Sequence, residues 1–211
     1  PIYLPGIGSV QVVLHRAIPN GFKVKTATVR LEADGWYLSI SLEDTAVADK
    51  ADEVIQPTQE NSIGIDLGLE RFLTDSKGGL VEVPQFLRKS ASRLGKLQRN
   101  RENYPKGSRP RKILNKRVAK LHQKVARQRL QFHFETVHKL FKETDVVIME
   151  DLTLKNLIRK NLPKLDNNGK YLPNHQAQKS GLNKSFVDAA LGQFGDILNW
   201  VSWKLDRKSV V

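Results

Sequence analysis

The sequence contains no cysteine and only one methionine among its 211 residues. The lack of cysteine excludes disulfide bonds and thiolate metal sites, and it favours an intracellular protein with a cytoplasmic location. Long hydrophobic runs are also missing, since no stretch approaches the roughly 18 apolar residues that a membrane span requires. Residues 1–13 lack the basic start and the cleavage site of a signal peptide. We therefore expect a folded protein without a membrane partner.

Acidic side chains are scarce in one part of the chain. Residues 88–142 contain 18 of the 35 lysines and arginines but only 2 of the 22 acidic residues, so their net charge of +16 exceeds the +13 of the whole chain. Like charges at helical spacing repel one another. These charges could simply form a solvated helix surface. However, so large an excess of basic over acidic residues favours a nucleic-acid partner.

The first 45 residues have the pattern of a small antiparallel β-domain. Residues 10–16 and 23–32 are rich in β-branched side chains, Ala33-Asp34-Gly35 is a turn signal, and residues 36–42 resume a strand. Residues 43–61 are polar and acidic, and we interpret them as a linker.

A second unit mixes strands and helices. Strands are predicted at 62–68, 71–74 and 80–83, antiparallel because their turns are short, and a further strand at 146–149.

Apolar residues then follow a helical period. Within residues 87–142 this period, broken at 104–110, predicts a basic helical hairpin. Residues 155–184 have the composition of a mobile loop, and apolar spacing from Phe186 to Leu205 predicts one final helix, after which the chain ends. We expect both ends to be cuts through a longer protein.

Two acidic residues occupy unusual positions. Asp66 lies within an apolar strand, and Glu150 ends another. Two such strands side by side would direct both carboxylates to one point, which suits Mg²⁺ because it prefers oxygen ligands. A pair of metal ions there could cleave a phosphodiester. The structural alternative is that Asp66 caps a turn and Glu150 caps a helix, and the pattern alone leaves both open.

The basic hairpin supplies the candidate nucleic-acid contacts. Lys155 and Arg159, which follow Glu150, are either phosphate ligands or a solvated surface. The predicted nucleic-acid-binding residues are Arg88, Lys89, Arg93, Lys96, Arg99, Arg109, Arg111, Lys112, Lys116, Arg117, Lys120, Lys124, Arg127 and Arg129.

The order of these motifs resembles the TnpB (OrfB) proteins of insertion sequences, which are related to the type V CRISPR effectors. The resemblance rests on Gly64-Ile65-Asp66-Leu67-Gly68, on the basic run 116–129, and on Val146-Val147-Ile148-Met149-Glu150-Asp151 with the Leu152-Thr153-Leu154-Lys155-Asn156-Leu157 that follows it. It covers nearly the whole chain.

The resemblance implies a fold and an activity. The fold would be an α/β sheet of the ribonuclease H-like (RuvC-like) type with a basic helical-hairpin insertion, preceded by part of a small antiparallel β-barrel (wedge-like) domain. Residues 1–57 would be the end of the wedge-like domain plus linker, and 58–211 an incomplete nuclease domain. The activity would be RNA-guided DNA cleavage, with guide RNA and target DNA as partners. Asp66 and Glu150 would be catalytic and would bind two Mg²⁺ ions.

Three features of the family pattern are absent. The third catalytic aspartate, the cysteines of a zinc-binding insert and the N-terminal recognition region have no match here, so zinc belongs only to the missing insert. We therefore expect this chain alone to be inactive or nearly so. Two other hypotheses remain: a binding module that holds RNA and DNA without cutting, and an actin-like ATPase or sugar kinase. Against the ATPase or kinase, the sequence after Gly68 lacks the glycine- and threonine-rich loop that binds phosphate in such proteins.

Overall fold

A computed structural model of the chain describes residues 1–44 and 55–210, which divide into two units, Pro1–Asp52 and Glu53–Val211. Residues 45–54, the central part of the predicted linker, lie outside the described residues, as does Val211.

The first unit consists of two antiparallel ladders. Strand β1 (Ile2–Leu4) pairs with β2 (Gly8–Val10), and β3 (Lys23–Leu31) pairs with β4 (Trp36–Glu43). The ladders form separate two-stranded sheets, so residues 1–44 form no closed barrel. The strand predicted at 10–16 is wrong beyond Val10, because a β-branched run forms a strand only where a neighbouring strand completes its hydrogen bonds.

The second unit is a mixed α/β structure, as predicted. Its elements are β5 (Ser62–Leu67), β6 (Arg71–Asp75), β7 (Leu80–Glu82), α1 (Phe86–Glu102), α2 (Arg109–Glu143), β8 (Val146–Met149), α3 (Leu154–Leu157), β9 (Lys164–Leu165), β10 (Tyr171–Leu172), α4 (Gln176–Ala189), α5 (Leu191–Lys204) and β11 (Lys208–Val210).

One five-stranded sheet organises this unit, in the order β11-β8-β5-β6-β7. Strands β5, β6 and β7 are antiparallel to their neighbours in chain order, as their short turns predicted. Strands β8 and β11 are parallel to β5 and lie on its other side. Because β8 runs parallel to its neighbour β5, the chain must cross back over the sheet before β8 begins. Helices α1 and α2, which lie between β7 and β8, form this crossover.

The hydrophobic core lies on one face of the sheet. Ile63, Ile65 and Leu67 of β5 are buried there against side chains of α2 and α5. At its centre the fully buried His133 stacks on Phe72, with ring centroids 5.4 Å apart. Because side chains alternate along a strand, Ser62, Gly64 and Asp66 are left for the opposite face.

Two predictions for the last third of the chain are wrong. Residues 155–184 are not one mobile loop, since they contain most of α3, the β9–β10 hairpin and the first two turns of α4. The single helix predicted from Phe186 to Leu205 is broken at Ala190, whose left-handed backbone (φ 50°, ψ 50°) ends α4 and starts α5. Alanine carries no sequence signal for such a break, because this conformation normally favours glycine.

Candidate active site and nucleic-acid interface

Asp66 and Glu150 come together because β5 and β8 are parallel neighbours. Ile65 lies opposite Met149 in the ladder, so Asp66 and Glu150 occupy the next register position. Asp66 is the fifth residue of β5, and Glu150 directly follows β8. Residues aligned across parallel strands project to the same face of the sheet. The structure therefore brings the two carboxylates to one edge and one face, as the sequence predicted.

Both carboxylates are exposed to solvent. Within residues 1–44 and 55–210, neither carboxylate takes part in a hydrogen bond or an ion pair. The capping alternative would require such bonds. The helix that follows Glu150, α3, begins at Leu154, and its N-cap residue is Thr153, with no side-chain hydrogen bond at the cap. The two carboxylates are thus available to a ligand from solvent.

The surroundings of the pair are polar and open. Asp66 faces Thr74 across the β5–β6 ladder, and two register positions further along Ser76 accepts a hydrogen bond from the Gly64 amide (3.1 Å). A cavity of about 600 Å³ lies on this face, lined in part by Gly64, Lys77 and Ile148. The sheet is therefore uncovered beside the carboxylates, which leaves room for a large substrate.

The donor set suits a hard cation but is small. Mg²⁺ commonly keeps several waters and binds through one or two carboxylates together with substrate phosphates, so Asp66 and Glu150 fit its chemistry. In the described part of the chain no group of three or more His, Asp or Glu side chains could hold a metal ion. A metal bound here would depend on these two oxygen ligands and on its substrate.

Two other aspartates have structural partners instead. Asp75 accepts hydrogen bonds from the Lys77 and Gly79 amides, both at 2.8 Å, as a turn residue does. Asp188 is buried, and its two oxygens accept hydrogen bonds from the amides of Leu87 (2.8 Å) and Arg88 (2.9 Å) in the first turn of α1. Asp188 therefore caps a helix about 100 residues away, which its sequence context did not indicate.

The basic hairpin consists of α1 and α2, which pack along one another. Of the fourteen predicted nucleic-acid-binding residues, twelve are exposed and two, Arg111 and Arg129, are partly buried. A groove of about 380 Å³ runs between the helices and carries two leucines and four cations: Leu97, Leu121, Arg93, Arg117, Lys120 and Lys124. The structure thus concentrates four of the predicted residues in one concave, positively charged site.

Arg111 and Arg129 make contacts within the protein. Arg111 donates to the Tyr104 carbonyl (2.7 Å) and pairs with Glu102 (2.9 Å), which closes the turn between the two helices. Hydrogen bonds from Arg101 and Arg111 hold the pKa of the Glu102 carboxyl below its usual range. Arg129 lies 3.8 Å from Asp188 with its Nε atom buried and unpaired. Their structural contacts give Arg111 and Arg129 a role besides any binding to nucleic acid.

His133 of α2 belongs to the core. Its Nε2 atom lies 3.1 Å from the carbonyl oxygen of Ala189, which is the last residue of α4. Burial lowers the pKa of His133 to about 4, so the ring is neutral at physiological pH and donates from Nε2. Its Nδ1 atom is buried without a partner.

The fold and the site define an α/β protein with paired strand-end carboxylates and a strongly basic helical hairpin. None of the helices in the described ranges is long and apolar enough to cross a membrane. Residues 44–161 match the family OrfB_IS605, described as "Probable transposase". The chain belongs to this family, which confirms the resemblance seen in the sequence.

One curated relative extends the match. A protein of Streptomyces pristinaespiralis named "Putative RNA-guided DNA endonuclease" is 32% identical over 145 residues, which cover 68% of this chain and 34% of the relative. The chain thus spans about a third of that relative's length. Both comparisons favour the transposase-family hypothesis over an actin-like ATPase or sugar kinase.

Proposed function

We propose that this chain is part of an Mg²⁺-dependent, RNA-guided DNA endonuclease of an insertion sequence. The observation that carries the proposal is the β5–β8 register, which aligns Asp66 with Glu150. The name of the Streptomyces relative supports RNA as the guide and DNA as the target. We also expect a cytoplasmic location, as the sequence analysis predicts.

The sheet order supports a ribonuclease H-like (RuvC-like) nuclease domain. Strands β5, β6 and β7 are consecutive and antiparallel. Strands β8 and β11 lie on the other side of β5 and run parallel to it. The proposed domain covers residues 58–211 with the hairpin 87–142 as an insertion, and residues 1–57 would be the end of a wedge-like domain with its linker.

Within this domain, Asp66 and Glu150 would hold Mg²⁺. The ion would supply an activated water and charge stabilisation for phosphodiester hydrolysis. The two carboxylates are suited to this because the ladder fixes their backbone positions and because their oxygens have no hydrogen-bond or ion-pair partner among residues 1–44 and 55–210.

The basic hairpin would bind the guide–target duplex through its backbone. Cations that contact phosphates give affinity without reading sequence, and shape recognition suits an RNA–DNA heteroduplex. The groove between α1 and α2 would contribute Arg93, Arg117, Lys120 and Lys124. The groove offers no acidic side chain among its lining residues, so these four cations have no competing carboxylate there.

A second candidate function is a binding module that does not cut. The observation in its favour is that the described residues offer two metal-ligating carboxylates in place of three. Both candidate functions require nucleic-acid binding by the basic hairpin, but only the nuclease requires a metal ion at the carboxylates. A measurement of metal binding therefore distinguishes them.

Titration with Mn²⁺, followed by electron paramagnetic resonance, tests the site. We expect the wild-type chain to bind the ion and both Asp66→Asn and Glu150→Gln to abolish that binding. Asp151→Asn is the matched control, since Asp151 is the exposed neighbour of Glu150 and should not be needed. Equal Mn²⁺ binding by all four proteins would refute the metal assignment and favour the binding module.

A further inference from the structure

Residues 159–174 form a projecting segment, which we call the finger. Its tip is the β9–β10 hairpin, in which Leu165 lies opposite Tyr171. Asp166 closes the turn by accepting hydrogen bonds from the amides of Asn168 (2.9 Å) and Lys170 (2.8 Å), and Gly169 adopts the positive φ of 78° that such a turn requires. The tip is therefore an ordered structure with a defined arrangement of side chains.

Amide side chains hold the base of the finger. The side chain of Asn161 donates to the Asn174 carbonyl (2.8 Å), and its backbone amide donates to the side chain of Gln176 (2.9 Å). Asn174 donates in turn to the Leu162 carbonyl (3.1 Å). These hydrogen bonds join the two ends of the finger and so hold the base of the β9–β10 hairpin together.

The surface of the finger combines apolar and basic groups. The side chain of Tyr171 is 74% exposed and that of its cross-strand neighbour Leu165 is 56% exposed. Four cations, Arg159, Lys160, Lys164 and Lys170, accompany one acidic residue, Asp166, whose Oδ1 already accepts the two turn bonds. The finger thus offers a solvent-accessible aromatic ring on the same short segment as four cations.

We propose that the finger binds single-stranded nucleic acid, with a base stacked on Tyr171 and phosphates against the lysines and Arg159. Base stacking on an exposed aromatic ring beside cations is the usual way in which single strands are held without sequence preference. The net positive charge argues for a polyanion and against an apolar protein partner. An unpaired base is required because a base inside a duplex offers no free face to the ring.

The position of the finger gives this binding a use. The segment begins nine residues after Glu150. Helix α3 lies between them, and its Leu154 side chain packs against Gly192 of α5, where an added Cβ would lie only 3.0 Å from it. Nine residues of extended chain span at most about 30 Å, so the base of the finger lies within that distance of Glu150, and the strand held by the finger would be a substrate strand of the carboxylate pair. This use rests on the proposed function, whereas binding of a single strand can be measured without any cleavage.

Fluorescence anisotropy of the whole 211-residue chain with labelled oligonucleotides tests the proposal. The probes are a DNA single strand, an RNA of the same sequence, and the DNA duplex. We expect Tyr171→Ala to weaken single-strand binding about fivefold to a hundredfold, the range that base stacking supports, and to leave duplex binding unchanged. Tyr171→Phe should bind as the wild type does, because it keeps the ring.

Leu162→Ala is the matched control, since Leu162 is an exposed apolar residue of the same finger without a ring. Replacing both Lys164 and Lys170 by alanine should reduce the salt dependence of single-strand binding by roughly 1.4 in log–log slope, because each lysine that neutralises a phosphate accounts for about 0.7. The DNA and RNA probes show which strand is preferred, and tighter binding of either supports the proposal.

Two results would overturn it. One is single-strand affinity that Tyr171→Ala leaves unchanged, and the other is an equal reduction of affinity for the duplex. Failure of the metal site in the Mn²⁺ titration would refute the nuclease and leave the finger result standing. Absence of the Tyr171 effect alone would refute the finger and leave the nuclease proposal intact.

Discussion

Acidification should destabilise the second unit through His133. Its pKa is lowered to about 4 in the folded protein from an ordinary value of 6.5, because the ring is fully buried and Nδ1 has no acceptor. Between these two values the unfolded chain binds the extra proton and the folded chain does not. The free energy of unfolding therefore keeps its full His133 contribution above pH 6.5 and loses it as the pH falls towards 4.

The magnitude follows from the pKa difference. A shift of this size corresponds to about 3 kcal/mol once the pH has fallen through the whole interval, at about 1.4 kcal/mol for each pKa unit. Between pH 7.5 and 5.5 the loss should be about 1.4 kcal/mol, and carboxylates contribute little in that window because they titrate at lower pH.

Urea unfolding followed by circular dichroism at 222 nm measures this effect, because all five helices of the described residues lie in the second unit. His133→Gln removes the titrating group and retains an amide that can donate to the Ala189 carbonyl, so its unfolding free energy should change less over the same pH window. His138→Gln is the matched control, an exposed histidine on the same helix. Equal pH dependence in the wild type and His133→Gln would refute the reasoning.

Two further predictions concern the junction of α4 and α5. Asp188→Ala should lower the free energy of unfolding by about 1–2 kcal/mol, because the amides of Leu87 and Arg88 lose their acceptor; urea unfolding measures the loss, and an unchanged midpoint, or an equal loss in the exposed control Asp196→Ala, would contradict it. Ala190→Gly should raise the thermal midpoint, with a gain of about 0.5–1 kcal/mol, because glycine adopts the left-handed backbone without strain; a lower midpoint would show that the conformation is not strained.

Much of the second unit could be predicted from local patterns. The apolar run Ile63–Leu67, followed by a glycine, identified β5, and the spacing of apolar residues placed α1 and α2 close to their observed bounds. The candidate site followed from the same signals, because acidic residues in apolar strands are rare. The pairing of β5 with β8 was inferred from chemistry, and the parallel register confirms it.

Other features depend on contacts that no local pattern encodes. The β9–β10 strands have two residues each, too short for an alternation to register, although Asp166-Asn167-Asn168-Gly169 is a recognisable turn sequence. The structural roles of Arg111 and Arg129 were hidden because charge alone does not distinguish an exposed arginine from a buried one. Arg129 has its partner, Asp188, 59 positions further along the chain.

The break at Ala190 explains why the basic hairpin has a fixed relation to the sheet. Because α4 ends there, the Ala189 carbonyl is left without a helical partner, and His133 of α2 supplies the donor. One residue earlier, Asp188 supplies the acceptor for the free amides of α1. A continuous helix through Ala190 would use that carbonyl internally and leave the buried His133 ring without its acceptor. Both helices of the hairpin are thus attached to the turn between α4 and α5. Helix α5 packs on the core face of the sheet, and the opposite face of the same sheet carries Asp66 and Glu150.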